Sequence, residues 1–435
     1  MTASRGPRLR RLAAWPLLFA AFVRTWTPTP AAFAAPRTVQ GSEVRSLQSS
    51  VWAPRASRLP RRATVGVQPV LAPGSEGPTW WDARNSASPV VLPPADGAGE
   101  SKWRMWYYGR AGTLWARGAE AFLPTGRVGT ACSEDGISWS RVNGPLSGGA
   151  CFDPSSEDGA FDNVHVGVGD VVRLPNGTLW MYYFGGGEEE VMPGKPGLKM
   201  QIGLAASGDG GLSWERLKGG EPILPAGEPG SFDALFVAWP RVLQPWETAS
   251  VTGIPDGKWY MSYHTAQFGE GGMKWSAGAA FSDDGVAWEK APGPVLGPSD
   301  GADLWDAQGV GVRSVAPLGD GKLAMLYEAV DAQGDHAVGL AESSDGVKWL
   351  RQEVPGASAP GGPVFAKGAS GSWDSRVVGT PYVVRPTEAG GAWRLYYVGE
   401  STAKKGMSIG LAETSELRSG WRKVGGVPPA PPSGG

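Results

Sequence analysis

The stretch Val338-Gly-Leu-Ala-Glu-Ser-Ser-Asp-Gly-Val-Lys-Trp349 decides the fold, because versions of it recur along the chain. It begins with small apolar residues, turns at Asp-Gly and ends on a tryptophan. Asp-Gly between two apolar runs predicts a β-hairpin, since glycine adopts a positive φ without strain. Equivalent stretches begin at Val128, Ile202 and Ala277, and a degraded copy begins at Ile409. The sequence therefore repeats one hairpin-containing unit.

Two further elements precede each copy of this hairpin. One is an aromatic strand, such as Trp103-Arg-Met-Trp-Tyr-Tyr108. The other is an aromatic-Asp pair that starts each unit, with the acid at Asp82, Asp162, Asp233, Asp306 and Asp374. Each unit thus holds four short strands, and one such sheet buries both faces only when neighbours stack on it. We predict an all-β protein, a five-bladed β-propeller of four-stranded antiparallel blades.

The segment before the first unit is predicted to close the ring. Gln68-Pro-Val-Leu-Ala-Pro73 resembles Glu221-Pro-Ile-Leu-Pro225, which links two successive units. The fifth unit is not followed by such a link, so the N-terminal segment would take that place. The predicted propeller spans residues 65–428, and residues 429–435 are expected to form a disordered tail.

The first 64 residues have the composition of a leader. Arginines precede the apolar run at 12–23, which is too short to span a bilayer, so residues 1–34 are predicted to be signal-peptide-like. Residues 35–64 are rich in Arg and Ser and poor in acids, as in a transit peptide or a disordered segment. This order resembles the two-part leaders of algae with complex plastids, which implies a plastid location. The alternative is secretion or the endomembrane lumen.

Composition and motifs limit the partners. The net charge of -2 gives no reason to expect a nucleic-acid partner. After the leader no apolar run is long enough for stable membrane insertion. Neither a Cys/His metal spacing nor a phosphate-binding loop is present, so we expect no metal and no cofactor, and we expect a monomer.

Cys132 and Cys151 are the only cysteines, and they form either one disulfide or two free thiols.

The repeated unit resembles that of the five-bladed glycoside hydrolases. These are the arabinanase, levansucrase and invertase superfamily and the related mannoside phosphorylases. The aromatic-Asp pair, the Met-x-Tyr strand, the Ile-Gly-Leu-Ala strand and the Ser-x-Asp-Gly-x-x-Trp hairpin carry the resemblance, and the hairpin is also similar to the Asp-box of sialidases. The match covers nearly all of residues 80–424. It implies hydrolysis of an oligo- or polysaccharide in the funnel on the propeller axis, where two carboxyl groups flank the bond.

The sequence departs from that superfamily where the resemblance would place the acids, which is often an Asp directly before a Pro in the innermost strand. The five aligned residues are Ser88, Val168, Trp239, Val312 and Thr380, and none is acidic. The expected Glu of blade three is also absent from Phe236-Val-Ala-Trp-Pro-Arg241. Either the acids come from other positions, or the chain is a non-catalytic propeller that binds glycan or protein.

Polar residues that break the repeat indicate a site. The second strands end on Tyr108, Phe184, His264, Glu328 and Val398, and His165 breaks an aligned position early in blade two. The second strand runs antiparallel to the first, so these positions are predicted to lie at one end of the axis, the mouth of the funnel. We assign Glu328 as the general acid, and His264 or His165 as the residue that orients it or the substrate.

Residues near the same end are candidates for binding sugar hydroxyls. They are Arg84, Asn85, Gln308 and Arg376, which lie just after the repeated Asp. The repeated Asp residues are predicted to hold turns by accepting backbone hydrogen bonds. One of them, Asp162, is in addition a candidate substrate-binding residue. His336, in a short connection of blade four, carries little signal.

Overall fold

The computed structural model describes residues 66–74, 80–95, 100–269, 272–301, 304–355, 362–388, 390–403 and 406–425. The predicted leader segments 1–34 and 35–64 and the predicted tail 429–435 lie outside the described residues. Nearly all regular structure in the described part is β-strand. The helical elements there are one turn of α-helix and three single-turn 3-10 segments: α1 (Pro245–Thr248), Ala116–Gly118, Ser147–Gly149 and Lys218–Gly220.

The strands form five antiparallel sheets of four, which we call blades one to five. Blade one contains β1 (Asn85–Leu92), β2 (Trp103–Arg110), β3 (Arg127–Ser133) and β4 (Ser140–Val142). Blade two contains β5 (His165–Arg173), β6 (Leu179–Gly186), β7 (Met200–Ser207) and β8 (Glu215–Arg216). Blade three contains β9 (Ala238–Leu243), β10 (Trp259–Gly269), β11 (Gly272–Ser282) and β12 (Glu289–Lys290). Blade four contains β13 (Gly309–Pro317), β14 (Leu323–Val330), β15 (His336–Ser343) and β16 (Leu350–Arg351), with β17 (Phe365–Ala366) added beside β15. Blade five contains β18 (Val377–Val384), β19 (Trp393–Glu400), β20 (Ser408–Thr414) and β21 (Arg422–Val424).

The five first strands surround the axis, and each packs against the first strands of the two neighbouring blades. Five blades of four strands confirm the predicted fold. A single parallel bridge between Trp275 and Gly309 joins the sheets of blades three and four. We call the end of the axis where the first strands begin the mouth, and the end where they finish the far end.

The ring is closed by the N-terminal segment, as predicted. The N–H of Leu71 donates to the carbonyl oxygen of Ile409 at 3.1 Å, and Ile409 returns a bond of 2.8 Å to Leu71. In the other blades the following link fills the equivalent place, as Leu224 does beside Ile202. Closure leaves the third strand of blade five paired like its counterparts, which protects an edge that would otherwise be open.

Each repeated Asp contacts the fourth strand of its own blade through its side chain, rather than holding a turn. Each forms an ion pair with the basic residue that follows the repeat tryptophan by two positions: Asp82–Arg141, Asp162–Arg216, Asp233–Lys290, Asp306–Arg351 and Asp374–Lys423. The phenol of Tyr107 also donates to Asp82 at 3.0 Å. Their predicted structural role is therefore right, while the predicted backbone bonds are not the contacts that the carboxylates make.

A bulge interrupts the first strand of every blade. The register shifts at Ser88-Pro89, Gly169, Trp239-Pro240, Gly311-Val312 and Thr380-Pro381. In the three blades with proline, the preceding residue has a positive φ, namely 50° at Ser88, 47° at Trp239 and 43° at Thr380. Such backbone costs about 1–3 kcal/mol per residue. Three of the five positions at which the resemblance places acids are therefore strained bends of the axial strands.

Candidate active site at the mouth

The side chains that end the second strands converge on Trp239, which fills the axis at the mouth. The Trp239 ring lies 4.4 Å from that of Phe184 and 5.6 Å from that of His264. Its Nε1–H donates to the phenol oxygen of Tyr108 at 3.0 Å. Trp239 is only 5% exposed. The repeat comparison therefore identified a true cluster, but it missed the tryptophan at the centre.

Glu328 lies in this cluster between blades four and five. The Nδ1–H of His336 donates to its Oε1 at 2.6 Å, and the backbone N–H of Thr380 donates to its Oε2 at 2.9 Å. The carboxylate has room there because Gly379 lacks a Cβ, which would come within 2.5 Å of Glu328 Oε1. Glu328 is 2% exposed. Glu328 thus lies at the mouth, and each of its carboxylate oxygens already accepts a hydrogen bond.

His336 is the histidine in contact with Glu328, whereas the sequence predicts that His264 or His165 orients Glu328 or the substrate. Hairpin pairing explains the contact, because Glu328 pairs with Val338 and Val330 pairs with His336 in the same ladder. His336 therefore stands diagonally across from Glu328, within reach of a long side chain. This pairing could have been read from the sequence once the second and third strands of blade four were aligned.

His264 packs among aromatic rings instead of contacting Glu328 through a hydrogen bond. Its ring lies 5.2 Å from Phe236 and 6.0 Å from Trp275, in addition to its contact with Trp239. Burial, helped by the positive charge of Arg313, lowers the pKa of His264 to about 3. His264 is thus neutral near pH 7 and cannot act as a cationic acid there.

His165 lies at the boundary of blades one and two, apart from the cluster around Trp239. It stacks on Trp115 with 4.2 Å between ring centroids, and its Nε2 lies 2.8 Å from the carbonyl oxygen of Gly197. Burial lowers its pKa to about 4. His165 is therefore a neutral, packed side chain that helps to shape the mouth.

A cavity of about 540 Å³ opens beside His165, between blades one and two. Its lining includes Arg110, Trp115, Arg117 and Asn163. Burial lowers the pKa of Arg110 to about 10, with a smaller contribution from the charge of Arg84. Repeat comparison missed Trp115 and Arg117 because they lie in the long β2–β3 connection, which has no counterpart of equal length in the other blades. The cavity offers donors and an aromatic face close to the mouth.

The predicted sugar-binding residues have different environments. Asn85 accepts a hydrogen bond from the N–H of Met407 at 3.1 Å, and Gln308 donates to the carbonyl oxygen of Met273. These two side-chain amides are therefore hydrogen-bonded to the backbone of neighbouring segments, at Met407 and Met273. Arg84 is half-buried beside Arg110, and it remains a candidate donor at the mouth.

Arg376 is paired with a second carboxylate, that of Glu400. Glu400 also accepts from the N–H of Gly406 at 3.1 Å, and it is buried. It stands two residues beyond Val398, where the other blades carry Arg110, Gly186, Ala266 and Val330. The mouth thus holds two buried carboxylates on adjacent blades, Glu328 and Glu400. Comparing the repeats two residues further along would have identified Glu400 as the second carboxylate.

Asp162, predicted to bind substrate, forms an ion pair that every blade shares. Asp162 is one of the five repeated acids, it is fully buried, and its Oδ2 is 2.7 Å from Arg216 Nη2. Because the same ion pair occurs in all five blades, the contacts of Asp162 are accounted for without a substrate.

The remaining predictions concern thiols, membranes and metals. Cys132 and Cys151 are both free thiols, which settles the alternative left open by the sequence. Among the described residues, no helix is long and apolar enough to cross a membrane. Within the same part of the chain, no group of three or more His, Cys, Asp or Glu side chains is placed to hold a metal ion.

Comparisons with known proteins give a match at the level of structure alone. Neither a protein-family model nor a curated protein sequence matches the chain. A solved structure described as a glycoside hydrolase is similar, with a TM-score of 0.55, 20% identity, and coverage of 80% of this chain and 92% of that one. A glycosyl hydrolase from Bacteroides ovatus gives 0.52 and 16%, with 85% and 99% covered. An N-acetylgalactosamine deacetylase from F. plautii, solved with blood group B trisaccharide, gives 0.52 and 14%, with 80% and 94% covered. The chain therefore has the fold of these carbohydrate-active proteins, a five-bladed β-propeller.

Proposed function

We propose that this propeller is a glycoside hydrolase that cleaves an oligo- or polysaccharide at the mouth of the axis. The observation that carries the proposal is the Glu328–His336 pair, a buried carboxylate at the mouth of the axis. The fold is one that glycoside hydrolases use. Aromatic rings such as Trp239 and Trp275 suit the apolar faces of sugars, while paired carboxylates suit cleavage of the bond between them.

The chemistry needs two carboxyl groups with different roles. In its protonated form Glu328 acts as the general acid: its proton passes to the leaving oxygen, and the carboxylate that remains accepts from His336 and Thr380. Glu400, on the adjacent blade, supplies the second carboxylate, which attacks the sugar or activates water. Because Glu328 is 2% exposed, substrate reaches it only when neighbouring side chains move.

A second candidate function is glycan binding without hydrolysis. The burial of Glu328 and the two hydrogen bonds on its oxygens favour it, since a carboxylate with that environment also serves as a structural brace between blades. In that case the exposed cavity beside Trp115 would hold the sugar.

The test is a screen of the purified protein against aryl glycosides and polysaccharides, followed by Glu328→Gln on any substrate that is cleaved. We expect the rate to fall by about 10²–10⁴-fold, because glutamine cannot donate the proton. The unfolding midpoint should change little, since glutamine can still accept from Thr380. Glu134→Gln is the matched control, because Glu134 lies on an exposed hairpin of blade one and should leave the rate unchanged.

Full activity of Glu328→Gln would remove the assignment of the general acid, and Glu400→Gln would then be examined in the same way. Binding of a glycan without cleavage of any substrate would establish the second candidate function instead.

A further inference from the structure

The far end of the axis contains a larger cavity than the one beside the mouth. Its volume is about 600 Å³, and it is lined by the final residues of all five first strands and by α1. It lies at the opposite end of the first strands from Glu328 and His336. It therefore belongs to neither the candidate active site nor the cavity beside Trp115.

A ring of polar side chains faces this cavity. Eight positions after the repeated Asp, the first strands carry Val90, Asp170, Arg241, Ser314 and Tyr382, and all of these except Val90 line the cavity. All five are buried, and four of them are polar, in strands that are otherwise apolar at this level. Polar groups in such an environment cost free energy unless they are hydrogen-bonded. Their contacts therefore show which of them still needs a partner.

The acid of this ring is satisfied. Asp170 accepts from the N–H groups of Val242 and Val171 at 2.8 and 3.0 Å. The phenol of Tyr382 donates to it at 3.3 Å. Each carboxylate oxygen therefore has at least one donor, and Asp170 does not depend on a hydrogen bond from Arg241.

The guanidinium of Arg241 is not satisfied. Arg241 is 2% exposed, and within the described part of the chain its Nε and Nη2 have no hydrogen-bond partner. Its Nη1 makes one long bond of 3.4 Å to the Pro240 carbonyl oxygen, and its face lies 4.6 Å from the Tyr382 ring. Nε and Nη2 form one edge of the guanidinium, whose two parallel N–H groups match the two oxygens of a carboxylate.

The rest of the cavity restricts the ligand. Arg173 and Arg385 add positive charge, while Asp170 and Glu247 add negative charge. Such a mixture suits a monoanion better than a dianionic phosphate. Trp246, at the rim, is 54% exposed and offers a flat apolar face. A ligand that uses both features carries one carboxylate and one ring.

We propose that the far-end cavity is a second binding site, which takes a small ring-bearing organic carboxylate whose two oxygens dock on the Nε and Nη2 edge of Arg241. The ring of the ligand packs on Trp246. The proposal is independent of hydrolysis at the mouth, because none of its residues belongs to the candidate active site.

The test is isothermal titration calorimetry of the full-length protein with two carboxylates, glucuronate and benzoate, each beside its uncharged counterpart, glucose and benzyl alcohol. We expect at least one carboxylate to bind and its counterpart to bind about 10- to 100-fold more weakly, the range for losing hydrogen bonds to a charged group. Arg241→Met should abolish binding. Arg241→Lys, which keeps the charge but not the paired edge, should weaken it by about tenfold.

Two controls locate the site. Trp246→Ala changes only the rim and should weaken binding of the ring-bearing ligand without affecting folding. Glu328→Gln changes the mouth and should leave the affinity unchanged. Failure of both carboxylates to bind, equal binding of the uncharged counterparts, unchanged binding by Arg241→Met, or equally tight binding of inorganic phosphate alone would each overturn the proposal.

Discussion

The two ends of the propeller axis bury charged groups in opposite ways. At the mouth, Glu328 has a donor on each oxygen, and its partner His336 is buried with it. At the far end, Arg241 is equally buried but lacks partners for two of its nitrogens within the described residues. The Glu328 carboxylate therefore has a partner on each oxygen, whereas the Arg241 guanidinium is only partly bonded and lies beside an open cavity. A completed network fixes geometry, whereas an incomplete one retains the capacity to bind.

The difference arises from the residues on either side of the bulges. Before the bulge, the first strands carry Ala87, Gly167, Ala238, Gly311 and Gly379. These small residues leave room for second-strand side chains, and a Cβ at Gly167 would come within 2.4 Å of the Phe184 ring. After the bulge the first strands carry the polar ring themselves. Large side chains therefore fill the mouth, while the far end stays open.

The largest expected difference between the two ends is in stability. Glu328→Ala should lower the free energy of unfolding by about 3–5 kcal/mol, because it breaks a buried pair and leaves two donors without acceptors. Arg241→Met should lower it by less, about 1–3 kcal/mol, because two of its N–H groups make no bond but the buried Asp170 carboxylate loses a nearby positive charge. Urea unfolding at pH 7 measures both values. Equal losses of unfolding free energy would mean that the Glu328 and Arg241 side chains contribute equally to stability.

A smaller effect is expected from pH. The mouth histidines have lowered pKa values, about 4 for His165 and about 3 for His264, against an ordinary 6.5. The unfolded chain therefore binds more protons, so stability falls as pH decreases from about 6.5. For His165 the loss between pH 6.5 and 5 is about 2 kcal/mol. Glu247, at the far end, acts in the opposite direction, because burial raises its pKa to about 7 and its contribution is lost as pH increases from about 4.5.

Unfolding measured from pH 7 to pH 5 separates these contributions. His165→Gln should flatten the dependence of stability on pH, and Glu247→Gln should steepen it because the opposing contribution is gone. A slope that His165→Gln leaves intact would show that this histidine is already charged in the folded protein.

The smallest effect is expected away from the axis. Asp162→Asn should cost about 1 kcal/mol, since Arg216 is partly exposed and water can replace the lost ion pair. Asp374→Asn, at the equivalent position of blade five, should cost the same. Neither should change glycan binding. If Asp162→Asn alone weakened it, Asp162 would regain the substrate role that its contacts do not support.

The fold was predictable because it depends on local features that the sequence repeats. Asp-Gly hairpins, aromatic strands and the link at Leu71 each specify short-range or repeated contacts. The site was only partly predictable. Comparison of repeats found Glu328 and His264, which break a shared pattern, but a bulge shifts the register, so it hid the polar ring of Asp170 and Arg241.

Contacts between blades could not be predicted from the sequence alone. Nothing in the spacing of Trp239 and Tyr108 indicates that they meet across the axis, since they lie in blades three and one. The pairing of Glu328 with His336 was within reach, because a hairpin ladder fixes it. The unpartnered state of Arg241 was not, because a sequence reveals that a group is polar but not which donors surround it.

The closure at Leu71 also has a consequence for synthesis. The ribosome makes Leu71 near the start of the propeller, and it makes the partner Ile409 near the end. Blades one to four can form while the chain is still emerging, but the final seam has to wait for blade five. Until then the array of blades stays open. The closed ring of blades forms only after the last strands have been translated. Pairing between segments so distant in sequence makes this closure a slow, late step of folding.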